Sequence, residues 1–140
     1  MGRMTDDEIE ALLVEPEIGV LATADAAGRP EGSPVWFDYG DGIVRVLVHR
    51  DSRKARNIRE NAHVSFTVDT RHAPYRGVVL RGTATLSGPE PDLRRRLAHK
   101  YLDQETADPY LAKTARFDNE DSLVTILVTG RYSWDYSKGY

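Results

Sequence analysis

"IVRVLVHRDSRKARNIRENAHVSFTVDT", residues 43–70, decides how the chain is read. Its first seven residues alternate: Val44, Val46 and Val48 face one way, Arg45, Leu47 and His49 the other. Its last eight alternate again, with Val64, Phe66 and Val68 on one side. A period of two is the mark of a half-buried strand. Between them "SRKARNIREN" reads as a short helix with Ser52 as its N-cap.

The flanks extend the same pattern. Upstream, "TDDEIEALL" carries Thr5 and Glu8 at capping-box spacing, with Ile9, Leu12 and Leu13 on one helical face. Pro16 ends that helix. Residues 18–25 and 31–39 read as strands joined by the turn "AAGRP", and "GDG" turns the second into the strand from 43. Pro34 inside 31–39 predicts an edge or a bulge there. Downstream, 78–88 alternates, with Gly82 where a bulge would fit. "PDLRRRLAHKYL" is an amphipathic helix whose inner stripe is Leu93, Leu97 and Tyr101. Residues 121–136 make a long last strand. Six strands, tight turns and few helices predict a mainly β chain, a six-stranded antiparallel barrel forming one domain over 1–140. The element order is not the βαβ alternation of a parallel sheet.

Composition narrows the function. With 140 residues the chain can bury a core unaided. Net charge is −3, so nucleic acid is not the expected partner. There is no cysteine, hence no disulfide and no thiolate chemistry. No apolar run could span a bilayer, and the acidic N-terminus is unlike a secretory signal, so a cytoplasmic location is expected.

Against this acidic background Arg50, Arg53, Lys54 and Arg56 crowd the end of one strand and the start of a helix. Cations at a helix N-terminus oppose its dipole unless an anion offsets them, and a phosphate is the natural candidate. The other reading is a solvated basic helix paired locally with Asp51 and Glu60. "SPVWF", one hairpin away, offers a flat apolar wall suited to a planar cofactor with a phosphorylated tail; the other reading of Trp36 is core packing.

"IGVLATADAAGRPEGSPVWF", "SRKARNIRENAHVSFTVD" and "PYRGVVLRGTA", in this order and spacing, resemble the pyridoxamine-phosphate-oxidase-like superfamily of FMN-binding split β-barrels. The resemblance covers roughly 10–88, with "YSWDYSK" as a fainter echo. It implies a Greek-key split barrel and a homodimer with cofactor at the subunit interface. It implies that Ser52, Arg53 and Lys54 hold the cofactor phosphate, that Pro34, Val35 and Trp36 lie against the ring system, and that Leu47, Val48 and His49 flank the ribityl chain. Ser33, Asp38 and Gly77 stand where true pyridoxamine-phosphate oxidases have arginine, lysine and glutamine. Their C-terminal substrate block does not recur in "TGRYSWDYSKGY". The short chain is more similar to the flavin/deazaflavin-dependent group, some of which use coenzyme F420.

The expectation is therefore an oxidoreductase with F420 or FMN, acting on a small conjugated organic molecule. Its rivals are an FMN-binding relative of the oxidase, a non-catalytic flavin or haem module, and an empty structural dimer. No catalytic side chain stands out. The four histidines lack metal-ligand spacing, so no metal is expected. "LRRRL" is expected to be solvated outside its leucines, and Asp118, Glu120 and Asp121 to form a solvated acidic turn. Tyr75 and Arg76 sit in a loop. Lys138 is expected in a frayed tail.

Overall fold

The computed structural model describes residues 2–139. Seven strands form one antiparallel sheet: β1 (Gly19–Ala24), β2 (Pro30–Val35), β3 (Asp38–Gly40), β4 (Ile43–His49), β5 (His63–Asp69), β6 (Arg76–Ser87) and β7 (Asp121–Asp135). Their order is β2-β1-β5-β6-β7-β4-β3. The two edge strands, β2 and β3, are consecutive in the chain and separated only by Trp36 and Phe37. Two residues bridge no more than about 10 Å, so the sheet must curl until its edges nearly meet. The result is a barrel with a split at Trp36–Phe37.

The strand expected over 31–39 is thus two strands, and the count is seven rather than six. Phe37 breaks it by turning fully inward, where its ring meets Phe66 edge-on at 4.9 Å. Pro34 lies on an edge, opposite Val20 of β1, where its missing N–H costs no ladder bond to a further strand. At the β3–β4 turn Asp41 and Gly42 both have positive φ, as a two-residue hairpin requires. The β6–β7 register shifts between Arg81 and Gly82. A Cβ on Gly82 would lie 2.2 Å from the Leu127 carbonyl oxygen, so only glycine allows that approach.

Val44, Val46, Phe66, Val68, Val78, Leu80, Val124 and Ile126 fill the interior. Each contributes about 1.5–3 kcal/mol by leaving water. Helix α1 (Asp6–Leu13) seals the core with Ile9, Leu12 and Leu13, and its capping box is formed by Thr5 and Glu8. Helix α2 (Arg53–Glu60) joins β4 to β5. Helices α3 (Pro91–Tyr101), α4 (Gln104–Lys113) and α5 (Phe117–Glu120) fill the connection from β6 to β7. The last two have no clear apolar period. α4 contains Pro109 and buries only Ala107, which is why its sequence does not announce a helix.

Three local expectations are corrected. Arg94 is buried rather than solvated: it donates to Asp118, Thr114 Oγ1 and the Leu111 carbonyl at 2.8, 2.8 and 3.0 Å. The acidic turn is not simply solvated: Asp118 binds Arg94, Glu120 binds His49, and Asp121 is half-buried. The C-terminal tail is tied down, Lys138 bonding to Glu8 and the Gly139 carbonyl accepting the Gly2 N–H.

Candidate functional site

A cavity of about 260 Å³ opens where β2 ends, β4 ends and α2 begins. The period of β4 builds one wall. With Val44 and Val46 committed to the core, Leu47 and His49 must face outward, and both line the cavity with Val48. Val35 and Trp36, at the split, make the second wall. The Trp36 ring is fixed there, stacked on Tyr101 at 5.1 Å and tilted against Tyr110 at 5.6 Å. Leu97, Arg94 and Tyr110 reach in from α3 and α4, and Asp121 from the start of β7.

Helix α2 supplies the positive end. Ser52 caps it, its Oγ accepting the Ala55 N–H at 3.2 Å. The first turn holds no acid. Lys54 lines the cavity and makes no hydrogen bond or ion pair among the described residues. A lone ammonium beside the open N–H groups of a helix start is a ready anion grip.

Of the residues named from sequence, Val35, Trp36, Leu47, Val48, His49, Ser52 and Lys54 gather around this one cavity. Pro34 and Arg53 do not line it. Arg53 turns to Glu31 of the edge strand, 3.3 Å away. Sequence reasoning missed Arg94, Leu97 as a wall residue, Tyr110 and Asp121. Arg94 had a signal: with Leu97 and Tyr101 it completes an i, i+3, i+7 stripe. Asp121 had none, because only the pairing of His49 with Asp121 across β4 and β7 brings it to the site.

The acidic side of the cavity is ordered. His49 Nδ1 accepts the Asp51 N–H at 3.1 Å, which puts the ring proton on Nε2, donated to Glu120 at 3.1 Å. Burial pushes the Asp121 carboxyl above its usual range, against the pull of Arg94 and His49. A larger cleft near α1, about 620 Å³, has its Arg131 already held by Asp6 and Glu10. Among the described residues no three metal-ligating side chains cluster, and no helix is long and apolar enough to cross a membrane.

A family model described as pyridoxamine 5'-phosphate oxidase matches residues 5–131. The chain belongs to that family. A pyridoxine/pyridoxamine 5'-phosphate oxidase of Anaplasma marginale is 38% identical over 73 residues, covering 51% of this chain and 33% of that protein. The match thus spans about a third of the relative's length. Two solved structures are similar over nearly the whole chain. One is a conserved hypothetical protein from Mycobacterium tuberculosis, TM-score 0.76 and 26% identity, covering 96% of this chain and 87% of that one. The other is named as an F420 reductase, TM-score 0.73 and 25% identity, covering 91% and 98%. The family's split barrel is the fold found here.

Proposed function

We propose that the protein is an oxidoreductase that binds a phosphorylated flavin-type cofactor, F420 or FMN, and works on a small conjugated organic molecule. The observation that carries this reading is Lys54 at the start of α2, without an ion-pair partner among the described residues, in a cavity walled by Trp36, Val35 and Leu47. The residues present fit such a group: a cation and a helix N-terminus for the phosphate, apolar surface for the ring. The whole-chain likeness to a protein named as an F420 reductase favours the deazaflavin, and the shorter likeness to the oxidase favours FMN.

The cofactor supplies the hydride chemistry. This chain holds and shields it. Lys54 and the α2 N–H groups bind the phosphate, with Ser52 fixing the helix start. Trp36, locked by Tyr101 and Tyr110, gives a rigid face. Leu97 and Tyr110 exclude water from above. The cavity, about 260 Å³, lies just under the range of about 300–1,000 Å³ common for ligand pockets, and the outer face of β4 and β7 beside it is apolar. There Leu47 pairs with Leu123 and Ile43 with Leu127. Leu127 is 56% exposed. A second copy of the chain covering this apolar face would complete the site as a homodimer.

The test is a titration of the purified protein with FMN and with F420, read by tryptophan fluorescence quenching and by absorbance. Micromolar binding of either supports the reading. Binding of neither removes it. Peroxide release on adding pyridoxamine phosphate and oxygen to the FMN-loaded protein would shift the assignment to the B6 oxidase.

A further inference from the structure

Four polar groups of the cavity have neither a hydrogen-bond nor an ion-pair partner among the described residues: the Lys54 ammonium, the Asp121 carboxyl, the Trp36 indole N–H and the Tyr110 hydroxyl. None of them is sealed away from solvent. They differ in what they can bind. Lys54 and Trp36 only donate, Tyr110 does either, and Asp121 as a carboxylate only accepts. The cations around Asp121 are spent elsewhere. Arg94 donates to Asp118, Thr114 and Leu111, and His49 is held between Glu120 and the Asp51 N–H.

The cofactor reading gives Lys54 to a phosphate. What the cavity then offers a second molecule is one free negative charge among aromatic rings. Tyr110 is tilted against Trp36 at 5.6 Å, and both line the cavity with Asp121. Ring faces attract cations, and a carboxylate pairs with a protonated nitrogen through charge-assisted hydrogen bonds. We propose that the substrate is an organic cation, a small conjugated molecule whose protonated nitrogen pairs with Asp121 and whose body packs on Tyr110. This rests on the cofactor reading above and adds a charge to its substrate class.

The charge balance at this end favours the same class. Arg94 is matched by Asp118, and a neutral His49 faces Glu120, so Asp121 leaves this end net negative. An anionic substrate would find Lys54 occupied and Asp121 opposed to it. Burial already disfavours the bare Asp121 carboxylate, and a cation brought against it offsets that penalty.

The experiment uses three planar probes of nearly the same size: benzamidine, benzamide and benzoate, which are cationic, neutral and anionic. Their affinities for the FMN- or F420-loaded protein are measured by ligand-observed proton NMR. Benzamidine is expected to bind about tenfold tighter than benzamide, the low end for one charge-assisted pair, and benzoate not at all. In Asp121→Asn the benzamidine preference should shrink to within about twofold, while cofactor affinity stays within about threefold of wild type. Tyr110→Leu keeps apolar bulk but removes the ring, and should weaken benzamidine more than benzamide. The wild-type ranking needs no variant: benzamide or benzoate binding as tightly as benzamidine overturns the inference and leaves the cofactor reading intact. A benzamidine preference that persists unchanged in Asp121→Asn overturns it too. If neither FMN nor F420 binds, the cofactor reading falls, and the substrate inference that rests on it falls with it.

Discussion

The hydroxyl of Tyr101 accepts the backbone N–H of Phe37 at 3.2 Å and donates to the Glu17 carbonyl at 2.7 Å. Phe37 sits in the split, where no neighbouring strand can pair with it. Lys100 completes the repair, its Nζ donating to the Phe37 carbonyl at 2.7 Å while lying 4.4 Å from the Phe37 ring centre. One turn of α3 therefore replaces the missing ladder and holds Trp36, next in the chain, at the cavity wall. Burial pushes the Tyr101 phenol up to about 12, which keeps it a neutral donor and acceptor.

Tyr101→Phe keeps the stack on Trp36 but strands the Phe37 N–H and the Glu17 carbonyl. A loss of about 1–3 kcal/mol is expected, read as a lower urea midpoint with an unchanged slope. Full stability in the variant would show that water replaces the hydroxyl.

Arg94→Met removes the tie between α3 and the α4–α5 segment while preserving its apolar stem. Asp118 is left partly exposed, so the expected cost is again about 1–3 kcal/mol. Protease cleavage should appear first between residues 103 and 120. Cleavage elsewhere would mean the cap is held by its leucines instead.

Lys54→Ala should weaken cofactor binding by roughly 10- to 150-fold, the equivalent of losing one charge-assisted bond of about 1.5–3 kcal/mol. Arg53→Ala should act less, within about threefold, because Arg53 is an exposed partner of Glu31. The reverse ranking in a binding titration would mean that Arg53 leaves Glu31 for the phosphate.

Leu127→Asp places a charge in the middle of the apolar outer face. Light scattering at micromolar concentration should show a wild-type dimer and a monomeric variant. A wild-type monomer would remove the dimer from the proposal.

The chain ends impose a pH dependence. Lys138 and the Thr5 N–H hold the Glu8 carboxyl down at about 2, against an ordinary 4.5. A carboxyl lowered in the folded state binds fewer protons there than in the unfolded chain, so its contribution is full above pH 4.5 and disappears as pH falls towards 2. Wild type should exceed Glu8→Gln in melting temperature at pH 6, and the two should converge near pH 2. A constant gap would assign the effect to the capping box alone.

The sequence by itself determined the strands, the caps and the basic helix start. These are local or periodic properties: Val44, Val46 and Val48 must share a face whatever surrounds them, and Ser52 can cap only the turn that follows it. It also specified which side of β4 carries Leu47 and His49, and through three spaced blocks it indicated the family. The tertiary structure decided what no period encodes. Strand 31–39 divides at Phe37 because closing the barrel turns that ring inward and leaves its backbone to Tyr101 and Lys100. Arg53 and Lys54, adjacent in sequence, part company because a helix rotates successive side chains by about 100°, sending one to Glu31 and the other to the cavity. Asp121 reaches the site through its pairing with His49, 72 positions away, and burial in the folded chain, where Leu97 and Tyr110 line the same cavity, pushes its carboxyl up.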